Sequence, residues 1–83
     1  MSWRYQPVFE KHKETGITEF SVCEVYLTED DKLKQWSAGP CRAPRGNDIN
    51  DLQAALAMMS AEVFKWQPVE FRKLRVGMKF KRK

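Results

Sequence analysis

Residues 48–66, DINDLQAALAMMSAEVFKW, decide how this chain folds. Asp48 has the short carboxylate that caps the first unpaired N–H groups of a helix. Asp51 falls in the first turn, where the helix dipole favours an anion. Ile49, Leu52, Leu56, Met59, Val63 and Trp66 recur at spacings of three and four, which is one apolar helical stripe. Pro68 stops the helix two residues after Trp66. The spacing predicts about five turns of helix, enough to cover one face of a small sheet.

Downstream of the helix the charge changes character. From Gln67 to Lys83 the basic residues are Arg72, Lys73, Arg75, Lys79, Lys81, Arg82 and Lys83, and the only acid is Glu70. That tail carries +6, so the total of +4 leaves −2 for residues 1–66. Basicity belongs to the C-terminal stretch, not to the whole chain. Leu74, Val76, Met78 and Phe80 alternate with Arg75, Gly77, Lys79 and Lys81, a strand pattern with a cationic face that Gly77 weakens. The expected division is a compact α+β unit over 1–68, with 69–83 as a basic strand or extended tail of the same domain.

Upstream lie three strand signals. Trp3 to Phe9 alternates Trp3, Tyr5 and Phe9 with Arg4, Gln6 and Val8, and Pro7 predicts an edge position or an early end. Residues 10–16, EKHKETG, read as a hairpin connection. Ile17 to Leu27 is the clearest strand, rich in β-branched and aromatic residues. Its two faces are Thr18, Phe20, Val22, Glu24 and Tyr26, and Ile17, Glu19, Ser21, Cys23, Val25 and Leu27. A polar turn at 28–32 leads to a short third strand, Leu33 to Ser37, with Trp36. Residues 38–47, AGPCRAPRGN, hold two Pro and two Gly and support no regular element. The expected order is β-β-β-α-β: a three-stranded antiparallel meander, one helix across it, and a C-terminal strand or tail. The expected core is Tyr5, Phe20, Val22, Tyr26, Leu52, Leu56, Met59 and Val63, with Trp3 and Trp36 at its rim.

Eighty-three residues build one core, because a chain this short buries only about 60–65% of the surface that its unfolded form exposes. Hydrophobic residues make up 42% of it, too many for a disordered chain. No run reaches the roughly 18 apolar residues of a membrane span, and the first residues hold no apolar signal segment. These features imply a cytoplasmic protein with Cys23 and Cys41 as thiols, since two cysteines without CxxC spacing make no disulfide framework.

Trp3-x-Tyr5, Glu24-Val25-Tyr26, Asp31-Lys32, Trp36, Pro40, Pro44-x-Gly46 and the capped helix with Leu52, Leu56 and Met59 resemble, in that order, a family of small uncharacterised bacterial and phage proteins. Its members share the pattern "SWxY…EVYY…DGK…W…P…L..ML", and the resemblance spans about residues 2–68. It implies the fold and no chemistry. This chain departs from the family in its Ala- and Met-rich helix and in its basic tail. Small phage-type proteins without catalytic machinery include inhibitors of host machines, among them anti-CRISPR proteins. By analogy that makes binding by occlusion the expected role.

The residues offer little for catalysis. A nucleophile needs a base within reach and a group to orient it. The candidates are a dyad of His12, in a charged loop, with Cys41 beside Arg42, and Glu24 on a half-apolar face. The plainer readings are a loop thiol without function and a structural pairing of Glu24 with Arg or Lys of a neighbouring strand. No metal set, cofactor loop or phosphate loop is apparent, so the expectation is a non-enzymatic protein. Two surfaces stand out instead. Ala54, Ala57, Met58, Ala61 and Phe64 lie outside the apolar stripe, with only Asp51, Glu62 and Lys65 as charges around them. This is a contact face for a protein partner or a second copy, unless the tail or the 38–47 loop covers it. The alternative is nucleic acid held by Arg72, Lys73, Arg75, Lys79, Lys81, Arg82 and Lys83, with Phe71 and Phe80 among them. Arg42 and Arg45 would extend that surface if the loop lies near it. The same tail is more simply explained as a solvated end or a protected edge, and an anionic membrane is a poorer fit.

Overall fold

The computed structural model describes residues 2–37 and 47–83. Three strands form an antiparallel meander: β1, Ser2–His12; β2, Ile17–Leu27; and β3, Leu33–Trp36. Gly16, at φ 72°, closes the first hairpin with its N–H donating to His12 O at 2.8 Å. Asp31 takes the left-handed conformation in the second turn (φ 60°), which Asp tolerates better than most residues. There Thr28 ties both ends: its N–H donates to Lys32 O, and its Oγ1 accepts from Lys32 N.

The helix α1 spans Ile49–Lys65, as the Asp48 and Pro68 signals predict. Asp48 Oδ1 accepts from Asp51 N at 2.8 Å. The chain then forms a two-residue strand β4, Val69–Glu70, and a 3₁₀ turn, Phe71–Lys73. β4 runs parallel to β1, pairing Val8 with Val69 and Phe9 with Glu70, so the sheet order is β3-β2-β1-β4. The protein is α+β, a four-stranded mixed sheet with one helix.

β1 is therefore an inner strand and runs unbroken through Pro7, against the expectation of an edge. β4 begins at Val69 opposite Val8, so its ladder starts beyond the position where Pro7 lacks an N–H. Just before Pro7, the buried Gln6 side chain does the bonding, with Nε2 donating to Gln67 O at 2.9 Å and Pro7 O at 3.1 Å.

The register fixes which residues share a face. Gln6 sits opposite Cys23 and Arg4 opposite Val25, so Arg4, Gln6, Val8, Cys23, Val25 and Leu27 line one side. That side carries the main core: Val8, Cys23, Val25, Leu27 and Leu33, closed by Leu74, with Trp36, Val69, Phe71, Met78 and Phe80 packed around it. The element covering this face is the tail. It leaves the β1 edge and reaches β3, where Leu33 N donates to Met78 O and Gly77 N to Leu33 O. It then returns to the helix exit, where Gln67 N donates to Lys81 O and Lys83 N to Lys65 O. Gly77, at φ 92°, permits the reversal, which an L side chain would strain.

The core expected on β2 was thus placed on the wrong face: Phe20 is 66% exposed, while Val22 and Tyr26 are only half-buried. Helix α1 packs against β1, where Tyr5 and Pro7 are buried on the opposite side of the sheet, and Met59 is its one buried residue. Leu52 is half-buried, whereas Leu56 and Val63, also expected inside, are exposed, and so is Trp3. The tail's alternation does not form a strand over 74–81. Leu74, Met78 and Phe80 turn inward, Val76 is exposed, and the β-bridge of Trp66 with Arg82 lies just beyond that span.

Candidate functional site

Helix α1 presents more apolar surface than β1 can cover. At about 100° per residue, Asp51, Glu62 and Lys65 fall within roughly 60° of arc. The buried and half-buried side runs from Glu62 and Ala55 through Met59 to Leu52. Beyond Leu52 an exposed arc opens with Val63, Leu56 (49% exposed) and Ile49 (63%), and continues through Phe64 (76%) to Ala57, Ala61 and Ala54. No charged side chain interrupts it. Ala54, Ala57, Ala61 and Phe64 thus lie where the sequence places them. Met58, also exposed, stands apart between Lys65 and Asp51. Sequence reasoning missed Ile49, Leu56 and Val63 as surface residues, because their spacing is indistinguishable from that of a core stripe. The tail, which could have covered this arc, packs instead on the far face of the sheet. Cys41, Arg42 and Arg45, and with them most of the 38–47 loop, lie outside the described residues.

The seven tail cations do not form one patch. Arg72 faces the first hairpin, lining a depression with His12, Lys13, Glu14 and Thr15. Lys73 Nζ is 3.5 Å from the Glu70 carboxylate. Lys79 and Arg82 line a separate cleft of about 500 Å³ together with Trp3, Arg4, Trp66 and Phe80.

Arg4 organises this cleft. Its guanidinium lies 3.8 Å from the Trp66 ring centroid and 5.1 Å from that of Phe80, a cation–π packing on two rings. Nη1 donates to Tyr5 O at 2.9 Å and sits 4.0 Å from Glu62 Oε2. The same carboxylate oxygen accepts from Trp66 Nε1 at 2.6 Å. Burial pushes the Arg4 pKa down to about 10, opposed by the charges of Glu62 and Asp31 and helped by repulsion from Arg82. Arg4 is still charged at neutral pH. Arg82 stands over the same indole, 5.2 Å from its centroid. Neither Arg4 nor Trp66 signals this from sequence, since only the folded chain brings β1 to the helix exit.

Of the catalytic candidates, His12 and Glu24 find structural partners, while Cys41 lies outside the described residues. His12 Nε2 is 3.2 Å from Glu19 Oε2 across the hairpin. Cys23 is buried, with Sγ 3.2 Å from Ser37 Oγ. Glu24 Oε2 accepts from Tyr26 Oη at 3.2 Å. The Glu24 charge, that hydrogen bond and slight burial together raise the Tyr26 phenol above its usual value. The unfolded phenol therefore ionises first as pH rises. The stability this contact contributes is fully present below about pH 10 and is lost as pH climbs through the folded pKa. Glu24→Gln is expected to bring the Tyr26 titration back down, as read by carbon NMR of labelled tyrosine; an unchanged midpoint would remove Glu24 as the cause. Among the described residues no group of three or more His, Cys, Asp or Glu could hold a metal ion, and no helix is long and apolar enough to cross a membrane.

No known protein family matches this chain, and neither does any curated protein or solved structure.

Proposed function

We propose that the protein is a non-enzymatic protein-binding module that acts by occlusion, with the uncharged arc of α1 as its contact surface and a second copy of the chain as its partner in solution. The observation that carries this reading is the exposure of Ile49, Leu56 and Phe64 along a charge-free side of the helix. Removing one such side chain from water contributes about 1.5–3 kcal/mol. A two-fold axis sets the arc against itself with no charge to desolvate, and Ala54, Ala57 and Ala61 let the two backbones approach. A 17-residue helix is about 25 Å long, so its footprint is well below the ~800 Å² per partner of a standard interface. The association is accordingly weak and concentration-dependent. A surface of this kind also inhibits by covering the working face of a larger machine, the mode of phage-borne inhibitors such as anti-CRISPR proteins.

Size-exclusion chromatography with light scattering tests it. A concentrated sample is expected to approach twice the 9.8 kDa chain mass and to stay there at high salt, because the contact is apolar. Phe64→Glu or Ala57→Glu, both at exposed positions, is expected to leave the melting temperature nearly unchanged and to return the mass to that of a monomer. A wild-type chain that is monomeric at every concentration and salt would overturn the reading.

A further inference from the structure

The Arg4 cleft has no part in the helix-face reading and combines two features that select a ligand. The first is surplus positive charge. Arg4 and Arg82 both stand within about 5 Å of one indole, and Lys79 completes the wall. Against these three cations stand Asp31, on the lining, and Glu62, whose carboxylate is engaged by Trp66 Nε1. Two guanidiniums sharing one ring repel each other, and an anion entering beside them relieves that repulsion. The cationic ribbon continues past the cleft. Arg82 bridges Trp66, so Lys65, Lys81 and Lys83 lie next to the bridge on the same two chain segments.

The second feature is an available aromatic face. Trp66 and Phe80 are occupied by Arg4, but Trp3 is 47% exposed and is braced edge-on by Tyr5 at 5.5 Å. The Trp3 ring stands on the Tyr5 side of β1, opposite Arg4, and borders the cleft at the edge of β1 that β4 leaves unpaired, so a flat ring joined to an anion would reach both across that edge. A carboxylate or an inorganic anion would leave that ring unused, and a duplex keeps its base faces stacked away. Exposed bases on a phosphate backbone satisfy both walls.

We propose that this cleft binds single-stranded nucleic acid, with one phosphate held by Arg4, Arg82 and Lys79 and the adjoining base stacked on Trp3. The remaining tail cations are secondary: Lys73 is paired with Glu70, and Arg72 faces the other end of the sheet.

The test is fluorescence anisotropy of a fluorescein-labelled oligothymidylate of about 12 nucleotides, titrated with the full chain at several salt concentrations. Neutralising one phosphate in the cleft predicts a log–log salt slope near −0.7 for a single strand. Lys79→Glu and Arg82→Glu, at exposed positions, are each expected to weaken binding at least tenfold and to flatten that slope. Trp3→Ala is expected to weaken it by about 5- to 150-fold, the range for one lost stack. Trp3→Leu, which keeps an apolar group against Tyr5, should give a similar loss without unfolding. Arg72→Glu and Lys73→Glu should leave affinity within about twofold. Equal losses for Arg72→Glu and Arg82→Glu, or no loss in either Trp3 variant, would overturn the proposal. So would equal competition by a duplex of the same length, or capture by phosphatidylserine vesicles with no oligonucleotide binding.

Discussion

A chain ending at Pro68 is expected not to fold. The face formed by Val8, Cys23, Val25, Leu27 and Leu33 has Leu74, Phe71, Met78 and Phe80 as its cover, and truncation removes all four. At about 1.5–3 kcal/mol for each large apolar side chain, reduced because three of them are only partly buried, the loss is of order 5–10 kcal/mol. A domain of this size has about 4–12 kcal/mol of total stability. Far-UV circular dichroism and a thermal melt decide it: a cooperative melt of the truncated chain near that of the full chain would refute the tail's structural role. The single substitution Leu74→Ala is expected to cost about 2–5 kcal/mol by the usual cavity penalty. It separates loss of packing from loss of the tail's backbone bonds to Leu33.

Gln6→Glu is expected to be as damaging, and in a pH-dependent way. The two side chains have nearly the same shape, so packing survives. Gln6 is fully buried and its Nε2 donates to two carbonyl oxygens, Gln67 O and Pro7 O. An ionised carboxylate there would lose its water and face acceptors at hydrogen-bond distance. Both effects raise its folded pKa above the unfolded value of about 4.3, by as much as 3–5 units for a fully buried site. In the unfolded chain the group ionises first, so the penalty is absent below about pH 4 and grows as pH rises. At pH 7 it reaches about 3.5 kcal/mol, and it grows to about 4–7 kcal/mol only as pH climbs past the folded pKa. Protonated, the same group has one O–H to give to Gln67 O. Urea denaturation at pH 4 and pH 7.5, with wild type as control, should show the variant near-native at the lower pH and about 4 kcal/mol less stable at the higher. Equal losses at both would mean that the site is not dry. Gln6 Oε1 is itself buried and has no hydrogen-bond partner among the described residues.

The legible parts of this fold were those governed by neighbours in sequence. The Asp48 cap, the Pro68 stop, the long hairpin around Gly16 and the meander follow from local geometry, and the structure has them. Which face of β2 is buried depends on a segment fifty residues away, and there the reading inverted. The Phe20, Val22 and Tyr26 face has the larger rings and seemed the better core. Glu24 sits in that row, whereas Cys23, Val25 and Leu27 carry no charge, and burying a carboxylate is costly enough to outweigh ring size. The tail's alternation put Leu74, Val76, Met78 and Phe80 on one side of a strand; Leu74, Met78 and Phe80 do pack together on the sheet, but Val76 is exposed and Gly77 turns the chain back before a strand can form. On the helix, spacing reports which residues are apolar and cannot report how wide a sheet awaits them. β1 is the strand that α1 packs against, and Leu56 and Val63 are left in water. The Arg4 cleft was invisible for a similar reason, as its members come from the first strand, the helix exit and the tail.

The return of the tail across the sheet also sets an order of events. β1 is the first strand synthesised, and its second neighbour, β4, and the cover over its face come from residues 69–80. Pairings this distant in sequence close large loops late, which slows folding. A nascent chain that has emerged only as far as α1 holds a hairpin with one bare apolar face and an unpaired β1 edge, the kind of surface that invites association with other chains. Folding of this domain therefore waits on its last segment, and its most vulnerable moment is the interval before Leu74 and Phe80 arrive.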